Sequence, residues 1–408
     1  MPRKRAPRRG LVLGAGGVLG SAWMIGALRA YQAQTGVDAR SFDLIVGTSA
    51  GSVVAALLSL GIDVDAMADS ERGLYAPGAP VLDYRDLGAS LPPPPRMRMG
   101  SPRLLTAGVL HPRRMTPMVA LAALLPQGRG TITAVGDLVT KAAEHQASGV
   151  TGARPPRWPA PLRVVAMDFD TGSRVLFGAD GAPRIDIAQA VMASCAIPGW
   201  YAPISLDGHR YVDGGTRSPT SLDLCLDAGL DEILVLAPAC AFDRDQPRRP
   251  VALVERQLRR AATRRLAREI ALAEAAGARV RTLCPCPEDL TVMGGNVMDV
   301  TRRAEVFETS LRTSAAALAE LAGVLPSSLG GPTRPTRPTR PTRPAAARTP
   351  APALPERAGR TGARRPAGAP LRAARVLPAA AATSVSPADP ATRPGRPPAP
   401  REEPGLAG

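Results

Sequence analysis

The chain has 408 residues and carries 51 Lys+Arg against 35 Asp+Glu, a formal charge of +16. That is too long for one small module, and five scattered cysteines make no disulfide framework, which points to a reducing compartment. The charge is concentrated at the ends: Arg3, Lys4, Arg5, Arg8 and Arg9 open the chain, residues 331–408 hold 14 Arg and 4 acids, and the 321 residues between sum to about +1.

Residues 1–9 read as a basic arm. Leu11–Leu13 then reads as a strand, followed by a Gly-rich turn and a helix over about Ser21–Gln34. Leu11–Leu28 resembles a signal-peptide core, but Gly14, Gly16, Gly17, Gly20 and Gly26 weaken such a helix, so no signal peptide and a cytoplasmic location are expected. A second strand–turn–helix unit follows: Phe42–Val46, a turn over Gly47–Gly51, and an apolar helix Ser52–Leu60 ending at Gly61. Residues 70–160 are irregular, with prolines at 92–95 and an apolar helix near Pro117–Leu125, and read as a cap or insertion. Strands resume at Leu162–Met167 and Arg174–Phe177, turning through Asp170-Thr171-Gly172, and a helix follows at Ile187–Ala193. Later strands are Ile233–Leu236 and Arg279–Leu283.

Residues 251–276 form a long helix in which Val251, Val254, Leu258, Ala262, Leu266, Ile270 and Ala273 recur at threes and fours. It reads either as a surface helix packed on the sheet or as one facing a membrane. A last helix spans about Thr301–Leu321. From 326 the character changes. Pro-Thr-Arg repeats four times between Pro332 and Arg343, and the 78 residues from 331 hold 18 Pro and no aromatic, so residues 326–408 are expected to be a disordered tail. Residues 10–325 alternate strands and helices and are expected to form one α/β layered domain.

The chemistry centres on Gly47-Thr48-Ser49-Ala50-Gly51, a G-x-S-x-G sequence with a strand before it and a helix after it. A sharp turn there exposes the serine hydroxyl at a helix N-terminus. The three histidines, His111, His145 and His209, all follow Ser49, which excludes the triad orders that place His before Ser. His209, in Asp207-Gly208-His209, reads as a hairpin-turn residue. Asp213-Gly214-Gly215 offers a carboxylate as base instead, with a plain Asp-Gly turn as the alternative. Gly14-Ala15-Gly16-Gly17-Val18-Leu19-Gly20, between strand and helix, would aim backbone amides at an oxyanion or a phosphate. Its spacing fails the dinucleotide fingerprint and no P-loop lysine follows, so a nucleotide-binding α/β protein is a weak alternative. Cys284-x-Cys286 is a lone pair without nearby His, and no metal or cofactor is expected.

Together these parts resemble the patatin-like phospholipase family, which joins an N-terminal Gly-rich anion loop, a G-x-S-x-G serine and an aspartate in D-G-G or D-G-A. The similarity extends through Val164–Asp168 with Asp170-Thr171-Gly172, and from Ala193–Gly199 to Tyr211–Gly215. It covers about residues 10–235. The resemblance implies a three-layer α/β/α fold with a central, mostly parallel sheet. It implies Ser49 as nucleophile, Asp213 as base, an oxyanion hole from the amides of Gly16, Gly17 and Val18, and structural roles for Gly14, Gly20, Gly47, Gly51, Gly214 and Gly215. The activity implied is hydrolysis of lipid carboxylic esters through an acyl-enzyme, with an impaired lipid-binding relative as the alternative. Two departures stand out: Ala15 replaces a family glycine, and Leu19 stands where the family usually has Arg or Lys. Expected partners are a lipid or other acyl ester and, through the basic ends, anionic membrane. Specific nucleic-acid binding is not expected, since the tail has no aromatic on which bases could stack.

Overall fold

The computed structural model describes residues 5–75, 93–94, 99–110, 115–149, 158–242, 250–324 and 376–377. One sheet runs through the described residues in the order β5–β6–β3–β2–β1–β7–β8–β9, with β4 also paired to β3. Its centre is five parallel strands: β3 (Leu162–Asp168), β2 (Leu44–Thr48), β1 (Arg9–Leu13), β7 (Glu232–Leu236) and β8 (Arg279–Leu283). The strands β4 (Arg174–Phe177), β5 (Ile204–Leu206) and β6 (His209–Asp213) are antiparallel additions beside β3. The tail lies outside the described residues except for β9 (Val376–Leu377), which pairs antiparallel with β8. Most of residues 76–98, including part of the proline run, also lies outside them.

The central strands are apolar without alternation because both faces are covered. Leu11 and Leu13 of β1 enter one buried cluster while Val12 enters the other, and Leu234 and Leu236 of β7 part from Ile233 and Val235 in the same way. On the first face lie α1 (Gly17–Thr35), α2 (Ala50–Ser59), α3 (Val64–Glu71), α7 (Ile187–Cys195), α9 (Pro287–Met293) and α10 (Arg303–Val324). On the second lies α8 (Pro250–Ala275). The chain is therefore a three-layer α/β/α fold. Close packing of α1 on α10 depends on Gly26, where a Cβ would stand 2.6 Å from the Phe307 carbonyl oxygen. The Ser310 hydroxyl adds a 2.7 Å hydrogen bond to the Trp23 carbonyl at the same crossing.

The structure corrects the expected stripe on α8. Leu266, Ile270 and Ala273 are buried on the sheet, but Leu258 is 47% exposed and its neighbour Arg259 is buried instead, donating to the Pro238 carbonyl. The described part of this helix is thus a surface helix packed on the sheet. It also buries Glu269, whose carboxylate accepts from the Ser218 hydroxyl (2.6 Å), the Thr220 hydroxyl (2.7 Å), the Leu222 amide (3.0 Å) and Arg265 Nε (2.7 Å). Those bonds clamp the loop that leaves β6. No helix among the described residues is long and apolar enough to cross a membrane.

From β1 the chain steps through β2 to β3, whereas β7 and β8 lie on the other side of β1. Such a reversal opens a crevice at the carboxyl ends of the central strands. The Gly-rich loop leaves β1 there, and Ser49 leaves β2.

Candidate active site

The serine turn is shorter than its sequence suggests. β2 runs through Thr48 and α2 starts at Ala50, so Ser49 alone makes the bend. Its φ of 55° is a left-handed value that few non-glycine residues adopt. Three hydrogen bonds hold it there. The Ser49 amide donates to Ser194 Oγ (2.8 Å), the Ser194 hydroxyl donates to the Val165 carbonyl (2.6 Å), and the Ser52 hydroxyl donates to the Ser49 carbonyl (2.6 Å). Ser194, fully buried in α7, is the residue that sequence reading passed over; it sits inside the Ala193–Gly199 similarity, but nothing local marks it as a partner of Ser49. Ser194→Ala is expected to cost about 1–3 kcal/mol, since it leaves a buried amide and a buried carbonyl unpaired. Denaturant unfolding measures the loss.

The sheet register brings Asp213 to the serine. Thr48, which precedes Ser49, pairs with Val165 of β3, and Asp213 at the end of β6 pairs with the next residue, Ala166. The Ser49 side chain stands close enough to the Asp213 carboxylate to favour its ionised form, and that carboxylate accepts the Gly215 amide at 2.7 Å. Gly214 permits this approach, as a Cβ there would lie 2.6 Å from the Val165 carbonyl oxygen. Burial pushes the Asp213 carboxyl up to about 6, against the opposing pull of the nearby Ser49 side chain and the Gly215 amide.

The Gly-rich loop lies against the same place. Its first amides are taken: Gly14 donates to the Leu236 carbonyl and Ala15 to that of Pro219, both across the crevice, while the Leu19 amide donates to Val297. Among the described residues nothing accepts from the amides of Gly16, Gly17 or Val18, which stand at the N-terminus of α1. Gly17 has a φ of 62°, a left-handed value suited to glycine, whereas Ala15 does not need one, which is how an alanine is accommodated in this loop. Gly20 packs against Pro238, as does Gly16.

A small apolar cavity of about 60 Å³ opens beside Ser49, bounded by Gly17, Val18, Val53, Ile132, Val135 and Tyr201 among others. Gly16 does not line it. Tyr201 lines the cavity, Trp200 stacks against Tyr201 with ring centroids 6.3 Å apart, and Met192 packs against α6 at Gly136. Ile132 and Val135 come from the start of α6 (Thr133–Gly149) and the residue before it. Cys195 also lines the cavity, but burial and then the Asp213 charge push its thiol up, so it supplies no thiolate beside the serine.

Neither described histidine is part of this arrangement. His209 begins β6 after a hairpin turn through Asp207 (φ 47°) and Gly208 (φ 79°), and its Nδ1 lies 3.1 Å from Asp168. His145 is exposed on α6, and His111 lies outside the described residues. Among the described residues no group of His, Cys, Asp and Glu is placed to hold a metal ion.

The fold and site together define an α/β protein with a buried serine–aspartate pair at the crevice. A profile of the patatin-like phospholipases matches residues 11–226, and the chain belongs to that family. Uncharacterized NTE family proteins of Mycobacterium bovis and Mycobacterium tuberculosis are each 28% identical to it over 234 residues, 57% of this chain and 49% of theirs. The chain thus spans about half the length of these curated relatives. Similar solved structures include VipD from Legionella pneumophila (14% identity, 78% of this chain and 75% of that one, TM-score 0.33). Full-length ExoU from the type III secretion system of Pseudomonas aeruginosa, in complex with SpcU, is another (18% identity, 76% and 53%, TM-score 0.28).

Proposed function

We propose that the chain is a serine acyl hydrolase that cleaves carboxylic ester bonds of lipids, in the manner of a phospholipase A or lysophospholipase, through Ser49 and Asp213. The observation that carries this reading is the burial of Ser49 beside Asp213, a carboxylate whose affinity for protons is raised by that burial. An ordinary carboxylate, with a pKa of about 4, is a weak base, and raising that value brings it closer to the task.

In this mechanism Asp213 takes the Ser49 proton as Oγ attacks the ester carbonyl. The negative charge that develops on the carbonyl oxygen is met by the unpaired amides of Gly17 and Val18, two residues that line the same cavity, and by that of Gly16. The proton on Asp213 passes to the departing alcohol, leaving an acyl-enzyme. Water then attacks the acyl carbon, giving a proton to Asp213; that proton returns to Ser49 as the fatty acid leaves. Because the oxyanion donors are backbone amides, Leu19 in place of a basic side chain removes none of them. Pockets that enclose whole ligands run to about 300 Å³ or more. The cavity beside Ser49 therefore accommodates only the carbons next to the scissile carbonyl.

A fluorophosphonate probe tests the reading. Mass spectrometry is expected to find the adduct on Ser49, and none in Ser49→Ala. An adduct elsewhere, or an unlabelled protein that still hydrolyses esters, would refute the assignment.

A further inference from the structure

The domain's near-zero charge conceals a strongly basic segment. From Leu87 to Gly136 there are six arginines and not one Asp or Glu. Arg103 and Arg129, the two of the six among the described residues, are both exposed. This stretch contains α4 (Pro102–Leu110) and α5 (Pro117–Leu124). The α4–α5 pair also exposes apolar side chains to an unusual degree. Ten large apolar side chains are exposed among the described residues, and six of them lie between Met99 and Leu124.

α5 shows why. Its inner face, Val119, Ala122 and Ala123, packs on Met167, Phe169 and Val212 of the sheet. Its outer face repeats at threes as Met118, Leu121 and Leu124, and is 39–56% exposed. A helix that is apolar all round is normally covered all round. Here one side is covered by protein and the other is left to the surroundings, with Val109 and Leu110 exposed at the end of α4.

The pair is tied to the active site at both ends. Val212 beneath it precedes Asp213. From Leu124 the chain runs along residues 199–202, where Gly130 donates to the Trp200 carbonyl and Ala202 donates back to Gly130. It then reaches Ile132 and Val135 in the cavity wall.

We propose that this outer face of α4 and α5 docks onto the surface of an anionic phospholipid bilayer, its apolar side chains entering the acyl boundary and Arg103 and Arg129 meeting the headgroups. Charge selects that partner. A second copy of the chain would bring a like-charged surface to the contact, whereas an anionic bilayer complements it. The purpose of docking rests on the lipid-hydrolase reading; docking itself does not.

The test is co-sedimentation of the full chain with vesicles of phosphatidylcholine, with and without phosphatidylglycerol, in a Ser49→Ala background so that no lipid is consumed. Leu121→Ser with Leu124→Ser is expected to lower partitioning about tenfold or more. The loss should persist in about 1 M salt, where screening to about 3 Å removes the contribution of the basic tail. Arg103→Gln with Arg129→Gln is expected to weaken binding to the phosphatidylglycerol vesicles alone, and only at low salt. Restored to Ser49, both pairs should keep hydrolysis of a soluble short-chain ester and the thermal midpoint. Absent vesicle binding by the parent, or unchanged partitioning in both pairs, would overturn the proposal. So would a fall from dimer to monomer in the leucine pair without loss of partitioning, which would assign the face to a second copy. If no ester is hydrolysed at all, the lipid-hydrolase reading fails, and the sedimentation result still decides docking.

Discussion

Asp213→Asn is expected to lower ester hydrolysis at pH 7 by about 10³-fold or more, and Ser49→Ala to leave only the residual rate that substrate binding and an oxyanion site provide. The asparagine keeps the shape of the site. Its side-chain oxygen can accept the Gly215 amide as Asp213 does at 2.7 Å. It cannot take the Ser49 proton. Initial rates on a soluble short-chain ester measure both effects, and unchanged hydrolysis in both variants would end the dyad assignment.

The same carboxyl sets a pH profile. Because burial raises it to about 6, kcat/KM should rise with pH through that value and flatten above it, as the ionised form is the base. The stability effect has the opposite sign. An unfolded aspartate titrates near 3.8, so between that value and about 6 the folded state binds more protons than the unfolded one, and stability falls as pH rises. Above about 6 the buried charge costs roughly 3 kcal/mol, and below about 3.8 the cost vanishes. Asp213→Asn is therefore expected to be inactive yet more stable than the parent at pH 7, with the difference fading on acidification. Urea unfolding of both proteins at a series of pH values checks this.

The second large effect is steric. In Gly51→Ala the new Cβ would stand 2.1 Å from the Leu13 carbonyl oxygen and 2.4 Å from its carbon. Both are backbone atoms of β1, which is held between β2 and β7 and cannot yield as a side chain would. The substitution is expected to cost about 3 kcal/mol or more. It should also abolish labelling of Ser49, because α2 must move away from β1 and takes the serine with it. Gly295→Ala provides the control: nothing lies within 4 Å of its Cβ and no positive φ is required, so stability should change by no more than about 0.5 kcal/mol. Equal stability of the two variants would show that the close approach of α2 to β1 is not needed.

Much of the fold was legible because its central strands are buried on both faces. Leu11–Leu13, Leu162–Met167, Arg174–Phe177, Ile233–Leu236 and Arg279–Leu283 all stand within β1, β3, β4, β7 and β8. The cap was less legible. α4 packs only Leu104 fully, and half of α5's apolar surface faces outward, so neither shows a clear division between buried and exposed faces. The stripe of α6 (Val135, Leu138, Val139 and Ala142) is regular, but it follows the glycines of 128–130, which punctuate the pattern just before it. On α8 the apolar spacing favoured Leu258, yet the carbonyls of the loop after β7 offered a buried partner to Arg259, and that hydrogen bond outweighed the pattern.

The sequence by itself determined the local chemistry: a serine between glycines at a strand–helix junction, an aspartate before two glycines, a glycine loop ahead of a helix, and no histidine ahead of the serine. These follow from residue type and chain order. Tertiary structure alone decided that the pieces meet at one spot. Consecutive residues of β3 pair with the ends of β2 and β6, which brings Asp213 to Ser49. The low polarity of that meeting place raises the carboxyl. Carbonyls of Leu236, Pro219 and Val297 occupy the amides on either side of Gly16, Gly17 and Val18, leaving those three unpaired. Burial and hydrogen-bond competition depend on distant segments, so they emerge only when the sheet has brought those segments together.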